Sequence, residues 1–283
     1  MTFPTEVTVP RMRDIKAQMP KAVCAFGQSN VNENLIVNRE KPPFDNPDIR
    51  RATALALDRT AFVDILFEGQ ADIGGLLLPP PNGVRGMPES MMREMVGYNP
   101  DIAKNRAQGK AIMEKPGYGP NNHLKVKIST RNIPAYRDPA VILIDHLNEI
   151  YIEGEPDPVD TSLWFSKVAR KDYAAGLNLT GNAVDDPDQT FYENYAGKSE
   201  RNYSECCNPE LEKLFEPQSQ EVDVDKRKKL VWDIGRRLQD DVARPVIPHI
   251  RAGTCRAPEV QGFTPMVNSP YNGYRFEDLW LDR

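Results

Sequence analysis

Four polar side chains crowd one short stretch, Asn182, Asp185, Asp186 and Asp188, directly after an apolar segment with strand character, Ala174 to Leu179. Open α/β sheets place ligands at the carboxyl ends of their strands, so carboxylates held there could anchor an amine. The same residue types also make Asx turns and helix caps, which leaves a purely structural role open. A calcium loop needs acids at alternating positions with a glycine and a distal glutamate, and this spacing does not supply them. A glycosidase needs two carboxylates flanking a sugar bond in space, which neighbours in sequence cannot establish. Tyr192, with Trp164, Tyr173, Tyr195 and Tyr203, could line an apolar pocket, although aromatics at this density also build cores.

Other chemistries lack their signals. His123, His146 and His249 are dispersed, and no glycine-rich phosphate loop or nucleophile elbow occurs. Cys24, Cys206, Cys207 and Cys255 contain no CxxC pair, so no structural metal site and no cofactor is expected. They allow three disulfide pairings, and the adjacent Cys206 and Cys207 could join only through a strained eight-membered ring. With 36 Lys and Arg against 41 Asp and Glu, the 283-residue chain carries a net charge of −5, which argues against nucleic acid as a partner. Mean hydropathy is −0.57, and no run approaches the roughly 18 apolar residues of a membrane span. The first residues show no basic-then-apolar export signal.

The elements that would hold these residues alternate between helix and strand. Asn46-Pro47-Asp48, Asn99-Pro100-Asp101 and Asn208-Pro209-Glu210 each read as a helix start, with Asn as cap, Pro at the first helical position and an acid at the positive end of the dipole. The first helix carries Ile49, Ala52, Leu55 and Ala56 inward, and a second begins after Asp58 with Phe62, Ile65 and Leu66 inward. Leu76 to Pro88, rich in proline, reads as an extended loop hugging the surface. Leu124, Val126 and Ile128 alternate with lysines as a strand, whereas Val141, Ile144, Leu147 and Ile150 keep helical spacing. Glu153 to Asp160 is a weaker strand, Trp164 to Arg170 a short helix, and Asp223 caps a long helix with Leu230, Ile234 and Leu238 on one stripe. Val246 to Ile250 reads as a short strand, followed by a tail of loops and strands.

The run Pro42-Pro43-Phe44-Asp45-Asn46-Pro47-Asp48-Ile49-Arg50-Arg51-Ala52, continued by Ala56-Leu57-Asp58-Arg59 and Gly69, resembles a segment of the family 5 extracellular solute-binding proteins, the peptide, nickel and opine receptors of ABC importers. Tyr98-Asn99-Pro100-Asp101, Gly117-Tyr118, Asp186-Pro187-Asp188, Asn208-Pro209-Glu210-Leu211 and Asp225-Lys226-Arg227 follow in the family's order. The resemblance implies an α/β, periplasmic-binding-protein-like type II lobe with a mixed sheet and flanking helices. Residues 1–43 would be a late segment of lobe one, 44–245 lobe two, and 246–283 a return to lobe one, with the family's opening half absent. It further implies a periplasmic solute receptor without bond chemistry, binding peptides or similar small cationic solutes in an interlobe cleft and working with ABC membrane subunits. By the same resemblance Asp185, with Asp186 as the alternative, would pair with a ligand amine, and Asn182 and Tyr192 would share that wall. Surface left bare by the absent half would favour self-association. A hydrolase using Asp185 or Asp188, and a remnant that binds nothing, stay open as alternatives.

Overall fold

The computed structural model describes residues 1–2, 7–206, 209–268 and 273–282. Helix α1 (Val9–Gln18) leads into a long strand β1 (Val23–Val37), followed by α2 (Pro47–Ala56), α3 (Arg59–Phe67), α4 (Glu89–Met92) and α5 (Ile102–Glu114). An alternating stretch comes next: β2 (Leu124–Arg131), α6 (Pro134–Asn148), β3 (Ile152–Val159), α7 (Thr161–Ala169), β4 (Ala175–Gly181) and α8 (Pro187–Asn194). After α9 (Pro209–Glu212), α10 (Phe215–Gln220) and α11 (Val224–Asp240), the chain returns through β5 (Val246–Arg256) and closes with the small pair β6 (Val260–Gln261) and β7 (Trp280–Leu281).

The main sheet has the order β3-β2-β4-β1-β5. Its β2 runs parallel to β3 and β4, and β1 runs antiparallel to β4 and β5. This is the mixed α/β sheet with flanking helices that the resemblance implied. Side chains alternate across it. Leu35 and Val37 of β1 join Val126, Ile128, Leu143, Leu147, Leu177 and Ile247 in the largest apolar cluster, whereas Ile36 packs with Trp164, Val168, Tyr173 and Tyr203. Tyr195 is buried in a further cluster with Phe191, Phe215, Ile234 and Leu238. The aromatics other than Tyr192 are thus core residues.

Local chemistry explains most boundaries and several departures. Asn46 caps α2 by accepting the Asp48 N–H at 2.9 Å. The cap of α5 is Asp101 and not Asn99: Asn99 accepts the Asp101 N–H at 2.9 Å, forming a turn that delays the helix until Asp101 accepts from Lys104 at 3.0 Å. Asn208 and Cys207 lie outside the described residues. In α6 the inward face is Tyr136, Ala140, Leu143 and Leu147, which leaves Val141 66% exposed. Val231, Ile234 and Leu238 form the buried stripe of α11, with Leu230 outside it, and Ile65 of α3 faces solvent.

The last strand is longer than its apolar start suggested, since β5 continues to Arg256 by pairing with Val23 to Gln28 of β1. A disulfide between Cys24 and Cys255 joins the two strands there. Cys206 is buried and also disulfide-bonded. Among the described residues no helix is long and apolar enough to cross a membrane.

Candidate functional site

The turn after β4 stands at the end of the sheet where β2, β3 and β4 all finish. Strand pairing brings β1 to the same end: Val31 faces Gly181, the last residue of β4, and the Asn182 N–H donates to the Asn30 carbonyl at 2.9 Å. Asn30 in turn donates through Nδ2 to the Val184 carbonyl at 3.2 Å and to Asn268 Oδ1 at 2.9 Å. Gln189 folds back from α8 and accepts the Ala183 N–H at 2.7 Å. The turn is therefore braced from β1 and from α8. Asn182 is 3% exposed, and its Oδ1 has no partner among the described residues.

The three acids divide sharply in their commitments. Asp186 caps α8 by accepting the Asp188 N–H at 3.0 Å and takes a two-pronged bond from Arg227 at 3.0 and 2.8 Å. Asp188 accepts from Ser219 Oγ at 2.6 Å, also from Gln218, and stands 3.4 Å from Arg227. These two tie α8 to α10 and α11. Asp185 forms no ion pair among the described residues; its Oδ2 accepts the Val84 N–H at 3.0 Å, and its backbone carbonyl accepts from Arg85 at 3.0 Å. One carboxylate oxygen of Asp185 remains for another donor. Tyr192 does not join the turn: it is 43% exposed and packs edge-on against Phe215 at 5.8 Å, with Asp188, Glu212 and Glu216 as its charged surroundings.

Burial opposes ionisation of Asp186, but the Asp188 N–H and the Arg227 guanidinium outweigh it and hold the carboxyl below its ordinary range. Its stabilisation is thus complete above the unfolded carboxylate value near 3.9 and is lost as pH falls through the lower folded value. Asp186→Ala removes the cap and should cost about 1–2 kcal/mol, read as a lower urea midpoint at pH 7 with the deficit shrinking as pH falls through the depressed folded value. An unchanged midpoint would deny the cap its role.

Beneath the turn, the Asn face of β1 is a polar network inside the protein. Asn34 Nδ2 donates to Asn32 Oδ1 at 2.8 Å and to Thr180 Oγ1 at 2.9 Å, while Arg244 donates to Asn34 Oδ1 at 2.9 Å and Asn194 Oδ1 at 2.8 Å. The buried Arg244 guanidinium lies 5.2 Å from the Tyr203 ring. At the end of β2, Arg131 Nη1 donates to the Tyr136 hydroxyl at 2.8 Å, and its Nε is buried without a partner among the described residues. Arg244 gives no local signal in the sequence, because its partners Asn34 and Asn194 lie 210 and 50 residues away along the chain.

A cavity of about 460 Å³ lies elsewhere, between Leu57, Arg59, Met87, Met92 and Tyr98, and no residue of the 182–188 turn lines it. Among the described residues no cluster of His, Cys, Asp or Glu could hold a metal ion.

Comparison with known proteins gives a consistent pattern. The model of "Bacterial extracellular solute-binding proteins, family 5 Middle" matches residues 3–202. The probable di/tripeptide-binding protein 5 of Pseudomonas aeruginosa is 25% identical over 240 residues, covering 80% of this chain and 42% of the relative. The dipeptide-binding protein of Escherichia coli is 22% identical over 296 aligned positions, covering 100% of this chain and 51% of the relative. The chain thus spans about half the length of the curated relatives it matches. In structure, Haemophilus influenzae OppA in complex with RPPGFSPFR superposes with a TM-score of 0.83 at 17% identity, over 98% of this chain and 53% of that one. Staphylococcus aureus NikA in complex with Ni(L-His)2 gives 0.79 at 19%, over 93% and 54%.

Proposed function

The chain belongs to the family 5 bacterial extracellular solute-binding proteins, and from that premise we propose that it binds a peptide or similar small cationic solute for an ABC importer. The observation that carries this reading is the braced turn after β4, which offers a half-committed Asp185 carboxylate and an Asn182 oxygen without a partner among the described residues, at the carboxyl end of the sheet. Relatives named for dipeptides, oligopeptides and a nickel complex support a small-solute ligand over a macromolecular one. Residues 44–245 are read as the ligand-facing lobe, with 1–43 and 246–283 passing toward a second lobe. Supporting this, β1 from Val23 to Gln28 pairs with β5 beyond the reach of β4. Periplasmic residence is part of the same reading, and the Cys24–Cys255 disulfide fits an oxidising compartment.

Function here is recognition, with ABC membrane subunits as the receiving partner. A hydrolase would need a pair of free carboxylates, and Asp186 and Asp188 are occupied by Arg227, Gln218 and Ser219. Asp185→Asn tests the reading, because the amide keeps an acceptor for the Val84 N–H while losing the charge. Affinity for a tripeptide with a free amine should fall by about 1.5–3 kcal/mol in calorimetry, and for its N-acetylated form should stay unchanged. Equal losses for both would remove Asp185 from amine recognition.

A further inference from the structure

We propose that Glu33 is a second ligand-contacting carboxyl, selecting solutes that carry a cationic side group in addition to a terminal amine; this rests on the solute-binding reading above. Glu33 lies at the ligand end of the sheet. It is opposite Leu179 on β4, two residues from the last β1–β4 pair, Val31 and Gly181. Its charge is felt by Tyr136 in the first turn of α6, where Arg131 at the end of β2 holds the phenol at 2.8 Å. Glu33 therefore sits where the carboxyl ends of β2 and β4 meet the start of α6.

The residue is 2% exposed, and no hydrogen bond or opposite charge among the described residues supports its ionised form. Burial alone acts on it and pushes its pKa up to about 8. Its strand neighbours on the same face, Leu35 and Val37, are apolar core residues, so packing alone would favour a hydrocarbon here. On the opposite face the polar side chains Asn32 and Asn34 are hydrogen-bonded, joining Arg244 in one network. Glu33 alone on this strand is buried, ionisable and without a mate among the described residues. A ligand ammonium or guanidinium would supply that mate, and the proton held by the empty site would pass to the buffer as the pair forms. Among the described residues the titratable and charged groups near it are Tyr136 of α6 and, behind the phenol, Arg131 of β2; β4 opposes it with the apolar Leu179, and on the β5 side His249 pairs with the neighbouring Asn32 and is bonded to the Gly75 carbonyl.

Ala-Lys-Ala and Ala-Ala-Ala share the terminal amine and differ in the side cation, so their comparison by calorimetry isolates Glu33. The full chain should prefer Ala-Lys-Ala by about tenfold or more at pH 7.5, the ratio expected of one charge-assisted bond. Heats measured in buffers of different ionisation enthalpy should show proton release for the lysine peptide only. Glu33→Gln, which copies the protonated carboxyl in shape, should bring the two affinities together. Equal affinities in the unaltered chain, or a preference that survives Glu33→Gln, would overturn the proposal while leaving solute binding intact. Failure of both peptides to bind would overturn the solute-binding reading, and this inference with it.

Discussion

Replacing Cys24 and Cys255 by alanine should lower the stability of the chain by about 2–5 kcal/mol, near the upper end because the bond closes a loop of 231 residues. In the unfolded state that loop is the largest constraint on the chain; in the folded state the bond joins β1 to β5 where no third strand helps. Val23 to Gln28 of β1 pair with Arg251 to Arg256 of β5, and β4 reaches only as far as Val31. Loss of the bond should therefore let the outer halves of both strands fray while the inner sheet persists. Alanine is the suitable replacement, because Cys255 is 2% exposed and a serine would bury a hydroxyl. Reduction of the unaltered chain is a poorer test, since Cys206 is disulfide-bonded as well. Urea unfolding gives the loss directly, and amide exchange should show lost protection at residues 23–28 before residues 31–37. An unchanged midpoint would mean that the strands hold each other without the bond.

Gly97→Ala is expected to cost about 3 kcal/mol or more, combining a left-handed backbone with a steric clash. Gly97 has φ +77°, a conformation that side chains disfavour, and a Cβ there would lie 2.2 Å from the Ala54 carbonyl oxygen of α2. Relief by a shift of the loop would break a second contact, since Arg59 Nη1 donates to the Gly97 carbonyl at 2.7 Å. Arg59 is buried, and its Nε donates to the Val246 carbonyl at 2.8 Å, so the disturbance would reach β5. Gly27→Ala is the control: a Cβ at that position meets nothing within 4 Å. Its effect on the urea midpoint should be small beside that of Gly97→Ala, and equal effects would show that the approach of the loop to α2 is not a constraint.

Local signals made much of this fold legible. The Asn46 cap, the alternation of Val126 and Ile128 with lysines, and the polar turn after β4 each act within a few residues, and each is found where the sequence puts it. Strand β1 was invisible for the opposite reason. Asn30, Asn32 and Asn34 are residues that strands usually avoid, and Asn34 is accommodated because Arg244, 210 residues beyond it, bonds it inside the protein. The site shows the same division. Sequence grouped Asp185, Asp186 and Asp188 as equals, whereas Arg227, 41 residues beyond Asp186, occupies two of them and leaves Asp185. Glu33 gave no local signal, because its character comes from what does not surround it.

On the proposed reading, the carboxyl end of this sheet is a recognition surface for a small solute. Amide chemical-shift mapping of the full chain, titrated with Ala-Lys-Ala, tests it residue by residue. Shifts are expected to concentrate at residues 30–33, 131–136 and 181–186. Shifts confined to the walls of the cavity between Leu57, Arg59 and Tyr98, or no shifts at saturating peptide, would contradict it.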